Sequence, residues 1–183
     1  MKTIILILML TVSALVGSMA RYMEPALPTP ISVQAPTERL IKEEVKIERK
    51  QRQYEQAGQI AARVYRRLGC RTVYADATGR IATDLGLSPR LLAGLVFVES
   101  SCNPNATDHR GSIGLTQVNT KTWKYTKNQL KDPETNLRIG ASILSTYIHR
   151  YGLVEGLHAY NGFGNHTEEY STKVLTAAGV VVS

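Results

Sequence analysis

The sequence is poor in the residues that metal, redox and nucleotide chemistry require. It has two cysteines, and His109, His149, His158 and His166 are scattered with no ligand spacing, so no metal site is expected. No glycine-rich phosphate loop and no internal repeat occurs, which removes nucleotide-dependent and solenoid classes; no cofactor is expected. Phenylalanine is scarce (2) and tryptophan single (1), whereas tyrosine is plentiful (9). Most aromatic rings therefore carry a polar tip, which suits core edges and clefts that hold polar ligands. The folded region shows no basic face interleaved with aromatics, so nucleic acid is not an expected partner. The net charge of +7 is concentrated upstream: residues 38–67 hold nine Lys/Arg against five Asp/Glu. That excess fits a solvated helix face, or attraction to anionic membranes or wall polymers.

The longest apolar run lies at the start. Lys2 precedes an apolar stretch from Ile4 to Val16, and Ser18-Met19-Ala20 supplies small residues for cleavage after Ala20. Residues 1–20 are expected to be a cleaved signal or, because Ile4 to Ala20 almost matches a bilayer, an anchor in the inner membrane. No cysteine lies there to carry a lipid. The body of the protein is then exported, to the periplasm or cell envelope. In that setting Cys70 and Cys102 are expected to pair, stabilising the fold by roughly 3–4 kcal/mol on the chain-entropy argument. Two buried thiols are the alternative.

Four prolines mark residues 21–36 as an extended linker. Residues 37–69 form a charged helical segment, thin in apolar positions at first and denser toward Leu68, so its far end should pack on the body and its near end face solvent. Gly69 ends it. Within residues 70–183 helices are expected at Thr72–Leu85, at Pro89–Ser100 after Ser88, near Thr120–Lys127, at Pro133–Tyr151 after Asp132, at Val154–Tyr160 and at Glu168–Ala178 with Thr167 as cap. The long one shows Leu137, Ala141, Leu144, Ile148 and Tyr151 at helical spacing, with Ile143 and Tyr147 widening the stripe. Tyr170, Val174 and Leu175 should face inward from the last. Ser101–Gly114 is turn chemistry compatible with a small hairpin, and Asn161–Asn165 reads as a loop. The fold class is mainly α with one loop-rich patch.

Glu99 stands out. It closes the apolar run Leu91–Val98, in the last turn of a short buried helix. An apolar surround and the negative end of the helix dipole both disfavour its charge, and a carboxyl kept partly protonated near neutrality can act as an acid. Three more signals follow in order. Gln117 ends Gly114-Leu115-Thr116-Gln117, eighteen residues on. Asn136-Leu137 and Gly140 lie inside the long helix. Ala159-Tyr160-Asn161-Gly162 precedes the helix that carries Tyr170 and Lys173.

Over roughly residues 72–178 this arrangement resembles the soluble lytic transglycosylases, whose catalytic domain has a goose-type-lysozyme-like fold. The resemblance implies a lysozyme-like helical domain acting on peptidoglycan glycan strands. It assigns Glu99 as the single catalytic acid of a Glu-Ser motif with Ser100. It assigns Gln117, Tyr160, Asn161 and Tyr170 to substrate and acid positioning, with Tyr170 bracing Glu99 from behind. Thr116 replaces the family's methionine, and Asp108 stands where the family often has serine.

The chemistry is consistent with one acid. A glycosidase usually needs two carboxylates, but a substrate whose own acetamido group attacks the anomeric carbon needs one. Asp108, the only nearby candidate for a second, sits in a turn where an Asx role accounts for it. A water-using muramidase of the goose-lysozyme type would want aspartates after the glutamate, and position 112 is serine. A non-catalytic wall-binding or envelope-assembly module is the reading from another class. Residues 37–68 could recruit a partner in an envelope-spanning assembly. Small size and a lone catalytic domain fit localised wall opening in secretion, conjugation, phage entry or lysis.

Overall fold

The computed structural model describes residues 34–162 and 167–180. The expected export segment, most of the linker, and the loop between Gly162 and Thr167 lie outside them. The described residues from Leu40 onward belong to one compact unit.

Helix α1 spans Gln34–Arg67. Its first half leaves Leu40, Ile41 and Ile47 largely exposed, whereas Ala57, Ala61, Val64 and Tyr65 are buried in the core. The dense half of the apolar stripe is thus the half that packs. Gly69 (φ 74°) closes the helix, with Cys70 N–H donating to Tyr65 O and Gly69 N–H to Arg66 O, the pairing that satisfies the last carbonyls of a helix. A 3₁₀ turn, Thr72–Tyr74, leads into α2, Ala75–Asp84. Here α1 and α2 cross backbone to backbone: a Cβ on Gly79 would stand 2.2 Å from Gly58 N.

Helix α3, Pro89–Ser100, is the centre of the molecule. Ser88 and Pro89 start it as expected. Leu91 to Val96 are all buried, because α2 and the last described helix pack against it. Its last residue is followed by two left-handed residues, Ser101 (φ 49°) and Cys102 (φ 64°), which turn the chain sharply away. Cys102 is bonded to Cys70, with Cα atoms 5.9 Å apart, so the end of α1 is tied to the exit of α3.

The loop-rich region departs from expectation in two places. The hairpin forms but extends past Ser101–Gly114: β1, Ser112–Ile113, pairs antiparallel with β2, Val118–Asn119, and Thr107 bridges to Ile113. Its turn is Gly114–Gln117, where Gly114 (φ 81°) and Gln117 (φ 49°) both adopt left-handed backbone. No helix forms over Thr120–Thr126. The Asn119 side chain accepts from the N–H groups of Lys121 and Thr122, an Asx turn that competes with helix. Helix starts only at α4, Lys127–Lys131, where Thr126 and Gln129 form a reciprocal capping box.

Helix α5, Pro133–Tyr151, is capped by Asp132, which accepts from Thr135 N–H at 2.8 Å, and ends at Gly152. Leu137, Ala141 and Leu144 are buried, but Tyr151, expected inward, is 40 % exposed at the last turn. Helices α6, Leu153–Asn161, and α7, Thr167–Ala178, complete the domain. Tyr170, Val174 and Leu175 are buried as expected. Among the described residues no helix is long and apolar enough to cross a membrane.

Candidate active site

Glu99 reaches the floor of a cleft of about 750 Å³, lined also by Asp108, Gln117, Trp123, Tyr147 and Tyr160. It is held from behind: the Tyr170 hydroxyl, on the first turn of α7, donates to Glu99 Oε1. Burial pushes the Glu99 carboxyl up to about 7, the Tyr170 hydrogen bond opposes that rise, and the Asp108 charge adds to it. Burial, with the glutamate's charge behind it, raises Tyr170 well above the ordinary phenol value, so it remains a donor throughout the neutral range.

Tyr160 is positioned by a buried polar knot. Its hydroxyl donates to Thr116 O at 2.8 Å, not to Glu99. Burial raises the Tyr160 phenol, and the Glu99 charge raises it further, which places it in the electrostatic reach of the acid. Asn136, on α5, is fully buried and uses its whole amide: Oδ1 accepts from Thr116 N–H (2.9 Å) and Thr116 Oγ1 (2.8 Å), and Nδ2 donates to Ile113 O (2.7 Å) and Leu130 O (3.1 Å). The Thr116 hydroxyl thus joins this knot. Gly140 is required beside it, because a Cβ there would meet Thr116 Oγ1 at 2.2 Å and the Tyr160 hydroxyl at 2.8 Å.

Gln117 lines the cleft with its amide nitrogen already committed, donating to Gly114 O (3.0 Å) and Ala106 O (3.2 Å). Its Oε1 is the atom left to accept from a ligand. Asp108 is committed as well. Its Oδ1 accepts from Ser112 N–H (2.7 Å) and Arg110 N–H (2.9 Å), which stabilises its loop and holds its carboxyl below the usual value. Asn161 lines the same cleft at the end of α6. Ser100 stands apart from the cleft lining. It is buried, and its hydroxyl faces Val96 O (3.0 Å) and Leu115 O (2.9 Å), joining α3 to the hairpin turn that carries Gln117.

Three contributors are absent from the sequence reading of the site. Trp123 and Tyr147 line the cleft; the lone tryptophan in a polar stretch was their only signal. His158 ties α6 to α7, its ring nitrogens 3.2 Å from Glu155 Oε2 and 3.1 Å from Ser171 Oγ. That contact lies two residues from Tyr160 and one from Tyr170. No group of residues suited to a metal occurs among the described residues.

A lysozyme-like helical domain with one poorly solvated acid at the floor of a cleft is the class these features define. Residues 77–178, over half the chain, match the Transglycosylase SLT domain family, and the chain belongs to it. It is 36 % identical over 108 residues to a transglycosylase of Enterobacteria phage PRD1, covering 55 % of this chain and 41 % of the relative. It is 33 % identical over 94 residues to an endo-type membrane-bound lytic murein transglycosylase A of Cronobacter sakazakii, covering 45 % of each. The chain thus spans less than half the length of these relatives. The fold is similar to that of an inactive mutant of the lytic transglycosylase Slt from Pseudomonas aeruginosa, with TM-score 0.52 and 20 % identity over 58 % of this chain and 23 % of that one.

Proposed function

We propose that this protein is a peptidoglycan lytic transglycosylase that cleaves the β-1,4 bond between MurNAc and GlcNAc and leaves 1,6-anhydro-MurNAc ends. The observation that carries the reading is a lone acid, Glu99, with its carboxyl near 7, in a cleft where the other acid, Asp108, is absorbed by its own loop. Protonated Glu99 donates to the glycosidic oxygen as the C1–O bond breaks. The acetamido oxygen of MurNAc attacks C1, so no second carboxylate is needed. Glu99, now ionised and stabilised by the Tyr170 hydrogen bond, takes the proton of the sugar's C6 hydroxyl. That oxygen then displaces the acetamido oxygen from C1, and no water is consumed. Gln117 Oε1 accepts from the acetamido N–H, Asn161 meets hydroxyls or the acetamido group, and Tyr160 lies beside the acid.

The names of the relatives, lytic murein transglycosylases and a phage transglycosylase, support this substrate and a place in the cell envelope. Residues 1–20 would deliver the chain there as a cleaved signal or inner-membrane anchor. Residues 37–69 would space the catalytic region from that membrane or from an envelope-spanning assembly. Digestion of purified sacculi followed by mass spectrometry tests the activity. Anhydro-ended muropeptides support it, reducing ends assign a muramidase, and no release assigns a binding module.

A further inference from the structure

Helix α7 is keyed into the domain at two places. Toward its far end, Gly94 lets α3 and α7 meet backbone to backbone: a Cβ there would stand 2.8 Å from Val174 O and 2.8 Å from Ala178 N. That contact begins one turn beyond Tyr170. Nearer the start of α7 the hold is polar. His158, on α6, lies 3.1 Å through Nε2 from Ser171 Oγ, and both residues are buried. The Ser171 hydroxyl donates to Glu168 O at 3.0 Å, so its hydrogen is spent and Nε2 is the donor. The other ring nitrogen lies 3.2 Å from Oε2 of Glu155, an exposed residue, so water can replace that partner. The Nε2 contact has no such substitute, because both its ends are shielded from water.

Ser171 follows Tyr170, whose hydroxyl reaches from α7 to the Glu99 carboxyl on α3. The aim of that hydroxyl depends on where the start of α7 lies against the domain. A helix held at one end alone frays at the other, and the Gly94 contact holds only the far end. We infer, on the reading of Glu99 as the acid, that His158 is a positioning residue: its hydrogen bond to Ser171 seats the start of α7 so that Tyr170 meets Glu99. The titratable groups that act on Glu99 are Tyr170 from α7, Asp108 from the loop after α3 and Tyr160 from α6. His158 works through the first of these. Tyr160 has its own hold on Thr116 O, and Asp108 is fixed by the N–H groups of Arg110 and Ser112.

The test reads Glu99 itself, by following its side-chain carboxyl carbon by NMR as pH rises through the neutral range. His158→Ala should raise the Glu99 midpoint by about half a pH unit, because a misplaced Tyr170 favours the ionised form less. His158→Gln, whose amide nitrogen takes the place of Nε2 as donor, should return the midpoint close to the wild-type value. Tyr170→Phe should raise it further than His158→Ala does. Adding His158→Ala to Tyr170→Phe should then move it no more, a coupling that packing alone does not produce. Ser171→Ala removes the acceptor with a smaller loss of volume, and should repeat the rise if His158→Ala folds poorly. An unmoved midpoint in folded His158→Ala and Ser171→Ala proteins would overturn the inference. So would equal rises with and without the Tyr170 hydroxyl. Midpoints that follow the expected pattern in a protein that cleaves no glycan would uphold the positioning and overturn the functional reading alone.

Discussion

Tyr170 donates to Oε1 of Glu99 across 71 residues of sequence, joining the first turn of α7 to the last turn of α3. Burial favours the neutral acid and this hydrogen bond favours the ionised one, so a single carboxyl is balanced between the two forms a donor-then-acceptor cycle requires.

Glu99→Gln should abolish release of muropeptides, by a thousandfold or more on the order expected for loss of an essential acid, with an unchanged far-ultraviolet circular dichroism spectrum. Stability gives a second readout. The folded-state pKa is raised from 4.5 to about 7, so the acid's contribution is fully present below about 4.5 and is lost as pH rises through about 7. Denaturant titrations should therefore show the glutamine variant gaining on wild type between pH 5 and pH 8, by roughly 2–3 kcal/mol at most. A constant difference across that range would mean that the carboxyl is not poorly solvated.

Tyr170→Phe removes the hydrogen bond that lowers the Glu99 pKa and leaves the burial that raises it. The alkaline limb of kcat/KM, which tracks loss of the protonated acid near pH 7, should move upward. The maximal rate should fall, because the ionised glutamate loses its donor in the second step. A pH–rate profile with an unmoved limb would assign Tyr170 to packing alone.

Gly140→Ala would place a methyl 2.2 Å from Thr116 Oγ1 and 2.8 Å from the Tyr160 hydroxyl, in a knot whose Thr116 and Asn136 are fully buried. Overpacking of this kind costs about 1–3 kcal/mol. Because the strain falls on Tyr160, kcat should drop in protein that remains folded at the assay temperature, which thermal melts and rate assays on the same sample will separate.

The Cys70–Cys102 bond joins α1 to the left-handed turn immediately after Glu99 and Ser100. Its loss, by reduction or by a double serine substitution, should lower Tm by roughly 10 °C. The rate measured well below that melting point should change much less, because α3 is held by α2 and α7 independently of the disulfide. Equal melting temperatures with and without reductant would contradict this.

Much of the site is legible in the sequence where local rules coincide with tertiary ones. Ser88-Pro89 and the apolar run place Glu99 at the end of a surrounded helix. Asp108 announces its turn through Asp-x-x-Gly-Ser. The stripe in α1 thickens where it packs. The rest is set by contacts that no local pattern encodes. Gln117 is not a turn-forming residue, yet it takes a left-handed backbone because Gly114 O and Ala106 O hold its amide. The expected helix after Thr120 yields to the Asn119 side chain. Ser100 stands beside the acid in sequence and faces away from the cleft in space. Tyr147 sits on a stripe that reads as core and surfaces at the cleft, since the hairpin covers only part of α5.

The most direct measurement is cleavage of uncrosslinked glycan strands in water enriched in heavy oxygen, with mass analysis of the new MurNAc ends. One acid working with the sugar's acetamido and C6 hydroxyl groups predicts ends one water lighter than a reducing sugar and free of the isotope. Ends that carry one heavy oxygen would show that water is the nucleophile and would contradict the account.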